Sequence, residues 1–141
     1  IASDAMQYWS ESDSLYEGLI ASDTNDVQAL NNYSYSLVER NTQLNKSLEM
    51  SKKAIEMEPD NAAYLDTIGW IYFKLNNAQK ALYYIRRSIE LEGKNAVVLE
   101  HLGDVLNATD QMDEAKTIYL RALGLDKNND VLKQKAGVIP D

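Results

Sequence analysis

The sequence predicts an all-α fold built as a row of antiparallel helix pairs, and three observations carry that expectation. The chain repeats itself at 34 residues: Gly69 recurs as Gly103 and Ala81 as Ala115, a period that marks stacked helical units. Within each half-repeat the apolar residues fall at steps of three and four. Leu65, Ile68, Tyr72 and Leu75 make one stripe, and Ala81, Leu82, Ile85 and Ile89 the next, as one face of a helix requires. The 141 residues include only six glycines and two prolines, too few for the turns of an all-β domain.

Helices are expected at 4–22, 26–39, 44–57, 61–75, 78–91, 95–108, 112–125 and 129–138. The segment Leu65-Asp66-Thr67-Ile68-Gly69-Trp70-Ile71-Tyr72 aligns with Leu99-Glu100-His101-Leu102-Gly103-Asp104-Val105-Leu106. Leu30, Tyr33, Ser34 and Leu37 give an earlier copy, with Ser34 in the glycine position, completed by Ser47, Ala54 and Pro59. That copy carries one extra residue, placed in the turn around Asn41-Thr42. Tyr16-Glu17-Gly18-Leu19-Ile20 resembles the second half of a further copy whose first half is missing. Asn61 and Asn95 are expected to cap helix starts by accepting a backbone N–H. Asn76-Asn77 and Thr109-Asp110 supply tight polar turns. A mid-helix glycine costs about 1 kcal/mol relative to alanine, so Gly69 and Gly103 imply a close approach of the second helix, with Ala81 and Ala115 as small partners. The last helix carries Lys133, Gln134 and Lys135 before Pro140, a polar end suited to closing a solenoid. Met6, Tyr8 and Trp9 have no assigned role at this stage.

These residues resemble the tetratricopeptide repeat family. Leu65, Ile68, Gly69, Tyr72, Ala81, Ile85 and Ser88 fill its frame in one copy, and Leu99, Leu102, Gly103, Leu106, Ala115, Tyr119 and Ala122 in the next. The closing proline of the frame stands only at Pro59; Gly93 and Lys127 occupy its other places. The resemblance implies a right-handed superhelical solenoid of antiparallel helix pairs. It divides the chain into an incomplete repeat contributing its second helix (1–25), repeats at 27–61, 62–95 and 96–129, and a capping helix at 130–141. The wording of the last two copies looks bacterial.

Composition narrows the function. The net charge is −8, against phosphate-dominated binding of nucleic acid and against docking on an anionic membrane surface. With no cysteine, neither a disulfide framework nor a thiolate metal site is available. No apolar run reaches the length of a membrane span. There is no Gly-rich phosphate loop, no second His for a metal and no nucleophile–His arrangement. No cofactor is expected, and the chain is not expected to be an enzyme. The chain starts Ile1-Ala2-Ser3, so the native start is expected to lie upstream. The compartment stays open between cytoplasm and bacterial periplasm or cell envelope.

In the family the first helix of each pair lines the concave face. The stripe opposite the apolar one is Gln28, Asn31, Tyr35 and Val38 in the first copy. It is Ala63, Asp66, Trp70 and Phe73 in the second, and Val97, Glu100, Asp104 and Asn107 in the third. Tyr35 and Trp70 are the informative members, and accessible aromatics are common binding anchors; Trp70 equally fits ordinary packing between repeats. Asp66, Glu100 and Asp104 make the groove acidic. Glu100 and Asp104, one turn apart, suit a cation, but His101 is expected to point elsewhere, so no metal site is assigned. The expected function is a scaffold that binds an extended peptide or partner helix having an apolar anchor and basic flanks. The alternatives are a structural subunit that self-associates through repeat ends, motivated by the apolar N-terminal edge at Tyr8 and Trp9, and a metal-dependent or carboxylate-dependent hydrolase using the groove carboxylates.

Overall fold

The computed structural model describes residues 4–140, which form eight helices and no strand. They are α1 (Asp4–Ser22), α2 (Val27–Glu39), α3 (Leu44–Met57), α4 (Ala62–Lys74), α5 (Ala78–Leu91), α6 (Ala96–Ala108), α7 (Met112–Leu125) and α8 (Asp130–Lys135). The pairs α2–α3, α4–α5 and α6–α7 each pack internally. Every second helix also packs on the first helix of the next pair, and α1 and α8 close the two ends. Among the described residues no helix is long and apolar enough to cross a membrane.

Several helices start one residue later than the periodicity suggests, because the Asx residue sits outside the helix as its cap. Asp26, Asn61, Asn77 and Asn129 each accept a backbone N–H from three residues on, and Asn95 accepts two. Each such cap is worth about 1 kcal/mol. The turn inside the α2–α3 pair spans 40–43, against 75–77 and 109–111 in the other pairs. Its added residue shows in the backbone: Asn41 and Gln43 both have positive φ, whereas the shorter turns have one such residue each, Asn76 and Asp110. Asn and Asp tolerate that region best, and Gln43 is the member that pays a steric cost.

The final helix is shorter than expected, ending at Lys135 rather than 138. Gly137 turns left-handed (φ +74°). Val138 N–H then bonds Lys133 O at 2.8 Å and Gly137 N–H bonds Gln134 O at 3.0 Å, the paired bonds of a Schellman stop. Leu132 and Ala136 are fully buried against the array, which fixes α8 and hence the position of Lys135. One continuous core runs from Val38 through α4–α7 to Leu132 and Ala136; Leu30, Ala54 and Tyr64 make a smaller cluster beside it.

Candidate functional site

The first helices lie side by side, α2 against α4 and α4 against α6, and adjoining cavities run along the face they share. One, of about 330 Å³, includes Asn31, Tyr35, Asp66, Asn95 and Val97 in its lining. The next, of about 320 Å³, is lined by Tyr35, Glu39, Trp70, Val97, Glu100, His101 and Asp104. A third, of about 420 Å³, lies between Trp70, Phe73, Lys74, Asp104, Asn107, Ala108, Tyr119 and Lys135. Shared residues make these one trough. Tyr35 and Val97 join the first two cavities, and Trp70 and Asp104 join the second to the third.

Several expectations for this face need correcting. Val38 is fully buried and belongs to the core. Trp70 is only 8% exposed. Its ring stacks on His101 at 4.0 Å with a 15° interplanar angle and tilts against Phe73 at 5.2 Å, so only an edge reaches the trough. Asp66 is also buried and does not offer a free charge. Its two oxygens lie 3.0 and 3.1 Å from Nδ1 of His101, which donates its N–H to them. A buried carboxylate without such a donor would carry a large desolvation cost. His101 therefore points into this face rather than away from it. Gln28 is exposed and lines none of these cavities. Tyr35, Phe73, Val97, Glu100, Asp104 and Asn107 do line the trough, as does Asn31, whose buried Oδ1 has no partner.

Glu100 and Asp104 do bind a cation, and it comes from the chain itself. Lys135 of α8 places Nζ 2.7 Å from Glu100 Oε2 and 3.0 and 3.2 Å from the oxygens of Asp104. Tyr119 donates its hydroxyl to Asp104 Oδ1 at 2.6 Å, and its ring centroid is 5.9 Å from the same ammonium. Burial works against the charge on Lys135, but the two carboxylates outweigh it and hold its pKa above the usual lysine value. Burial, then the bond to Asp104, push the Tyr119 hydroxyl upward, so it stays a donor. Tyr35 is likewise raised, by burial and then by the nearby Glu39 carboxylate.

Sequence reasoning missed His101, Lys135 and Glu39. A signal existed for the first two. Asp66 to His101 and Glu100 to Lys135 are each 35 residues apart, close to one repeat, which is the step that brings successive elements face to face. The N-terminal aromatics also acquire a place. Tyr8, Trp9, Ser12, Tyr16, Asn32, Tyr35, Ser36, Glu39 and Arg40 line a cleft of about 420 Å³ between α1 and α2. Arg40 bonds both oxygens of Asp13, at 2.6 and 3.3 Å, and lies 4.5 Å over the Trp9 ring. Further along α1, Glu17 accepts from Lys46 at 2.6 Å and from Tyr33 at 2.9 Å; Lys46 first, then Tyr33, hold its carboxyl below the usual range.

Among the described residues there is no group of three or more His, Cys, Asp or Glu side chains placed to hold a metal ion. The trough thus offers one orphaned polar atom, carboxylates and aromatic edges to a ligand.

The tetratricopeptide repeat model matches residues 62–95 and 96–129. A TPR repeat-containing protein of Pseudomonas aeruginosa is 36% identical over 67 residues, 45% of this chain but 11% of that protein's length. The crystal structure of MamA superposes with a TM-score of 0.77 at 18% identity, covering 98% of this chain and 83% of MamA. The first TPR of Spaghetti (RPAP3), bound to an HSP90 peptide SRMEEVD, superposes with a TM-score of 0.73 at 18% identity, covering 82% of this chain and 94% of that one. With the glycine frame, the helix pairs and these matches together, the chain is a tetratricopeptide-repeat protein.

Proposed function

We propose that this chain is a protein-interaction scaffold that takes an extended peptide along the trough of α2, α4 and α6, and that the peptide has an apolar anchor with basic flanks. The observation that carries the reading is the built polar floor of the trough. Asn31 Oδ1 is buried without a partner beside the exposed apolar wall of Val97. An unsatisfied buried acceptor costs about 1–3 kcal/mol, and a backbone N–H from an extended ligand would satisfy it. The lining carboxylates Glu39, Glu100 and Asp104 favour positive flanks over negative ones. Solved relatives include a tetratricopeptide domain with a peptide bound, which supports the mode and leaves the ligand's sequence open.

The test is selection of a random peptide library on the purified chain. Wild type is expected to enrich peptides pairing an apolar residue with Lys or Arg. Val97→Arg, which adds bulk and positive charge at a half-exposed position, is expected to lose that enrichment at least tenfold while keeping its melting temperature. Equal enrichment by both proteins would refute the trough as the site.

Charge also predicts a non-binder. The RPAP3 domain is bound to SRMEEVD, whose acidic residues would meet like charges here, unpaired on desolvation. Isothermal titration of this chain with that peptide is expected to give no heat of binding; micromolar affinity at physiological salt would overturn the electrostatic reading.

A second reading, joining of copies through the repeat ends, rests on α1. Its Tyr8, Leu15 and Leu19 are 60%, 71% and 51% exposed at spacings that share one helix face. Light scattering that gives a monomer at every concentration would remove it.

A further inference from the structure

Three sites in this chain combine an aromatic ring with carboxylate and already hold a cation. Arg40 lies over Trp9 and bonds Asp13; Lys46 lies over Tyr33, 5.0 Å from its centroid, and bonds Glu17; Lys135 lies over Tyr119 and bonds Glu100 and Asp104. Tyr35 and Glu39, one helical turn apart on α2, make a fourth pairing of ring and carboxylate. Among the described residues no cation pairs with Glu39. Of the carboxylates that line the trough, Asp66 is held by His101 and both Glu100 and Asp104 by Lys135, so Glu39 alone has no basic side chain bonded to it. Tyr35 and Glu39 also line both the trough and the α1–α2 cleft, with Asn32 beside them at the same junction.

We infer that this junction is the ligand's cation site: a Lys or Arg side chain of the bound peptide turns from the trough into the cleft and sets its charge against Glu39 and the ring of Tyr35. The inference deepens the peptide-binding reading and rests on it. Charge complementarity selects the occupant. The cleft's one cation, Arg40, is neutralised by its two bonds to Asp13, so cleft and Glu39 together carry one net negative charge. Walls of Tyr8, Trp9 and Tyr16 accept the methylenes of a long basic side chain. A cation near an aromatic face is also attracted to the ring, more strongly as it is desolvated, beyond its attraction to the carboxylate. A neutral apolar side chain would fill the cleft but leave Glu39 facing it unpaired.

The test uses small mimics of the side chains: n-butylammonium, n-butylguanidinium and the neutral 1-butanol, titrated into isotopically labelled full chain and followed by NMR. Both cations are expected to give saturable millimolar shifts at the Trp9 indole N–H and the Tyr35 amide, and butanol to give none. Glu39→Gln is expected to weaken the cations about tenfold. Glu39 is exposed, so unchanged shifts elsewhere will show that the variant is folded; Trp9→Leu is expected to weaken them about threefold as an independent check. Equal shifts with butanol, an unchanged affinity in Glu39→Gln, or shifts confined to the Trp70–Lys135 end would each overturn the inference. The peptide library separates this from the broader reading. A Glu39→Gln chain that still enriches basic peptides as wild type does would sink the cation site and leave the trough standing, whereas no enrichment by wild type would sink the trough itself.

Discussion

Leucine in place of Gly103 is expected to unfold much of the array under conditions where the wild type is fully folded. A Cβ at Gly103 would meet the ring of Tyr119, 2.7 Å from Cδ1 and 2.8 Å from Cζ and nearer still to Cε1. That ring can shift only by giving up its packing and its hydrogen bond. It is buried, and its hydroxyl is bonded to Asp104, which also bonds Lys135. Moving the ring therefore breaks the hydrogen bond between α7 and α6 and disturbs the carboxylate that holds Lys135 of α8. Overpacking a close-packed core typically costs about 1–3 kcal/mol per intrusion, and four added heavy atoms place this change at or above that range. The gain in helix propensity, about 0.8 kcal/mol, is too small to offset it. Gly69→Leu should behave alike, since its Cβ would lie 2.7 Å from Ile85 Cγ1 and 3.2 Å from the Ala81 carbonyl oxygen. Ser34, the third residue of this series, already has a Cβ, and the pair accommodates it because the residue in register with Ile85 and Tyr119 is the small Ser51. Replacing Ser34 by alanine should be milder, losing the bond from its hydroxyl to Leu30 O. Urea denaturation of the three variants is the measurement. Wild-type midpoints for both glycine variants would mean that the close helix contacts do not exist.

The helices and their partners were legible because one physical rule repeats. Small residues at 69 and 81, and at 103 and 115, are needed wherever two helices touch, and apolar residues three and four apart are needed wherever a helix has one dry face. The site was less legible because α4 has more than one dry face. It packs on α5 within its pair, on α3 before it, and on α2 and α6 to either side, and every residue from Tyr64 to Ile71 is buried. Assigning one stripe to the core and the opposite stripe to the groove holds for a helix covered on one side. It fails for a central first helix, where it puts Asp66 on the groove and leaves Trp70 open between groove and core. The run Tyr64-Leu65-Asp66-Thr67-Ile68-Gly69-Trp70-Ile71-Tyr72-Phe73 carries the warning itself, being apolar nearly all round. At the ends of the array the one-stripe rule does better: Val97, Glu100 and Asn107 on α6 reach the trough. Lys135 was invisible for another reason. A polar final helix reads as a solubilising cap, and only its anchoring through Leu132 and Ala136 turns one of its lysines back onto the acidic pair.

Trp70→Ala is the second change with a large expected effect, and it acts on folding before it acts on binding. Trp70 is in the main core and covers one face of His101, with Lys74 Nζ 4.9 Å from its ring centroid on α4 itself. Truncating a buried aromatic costs about 3–5 kcal/mol. Here it would also let water reach the His101–Asp66 pair, weakening the electrostatic link between α6 and α4. Chemical denaturation should show a loss of that size, and Trp70→Phe should recover most of it by restoring a ring against the imidazole. His101→Ala should be severe for a different reason, because it leaves a buried carboxylate on Asp66 with no donor, at a cost of about 3–5 kcal/mol for breaking such a pair. The double variant Asp66→Asn, His101→Ala would relieve part of that penalty by removing the charge. Loss of peptide capture in Trp70→Ala would then report unfolding, so binding must be read in Trp70→Phe, where fold and trough edge are both kept. A Trp70→Ala protein with the wild-type denaturation midpoint would place that ring outside the core and return it to the role of an exposed anchor.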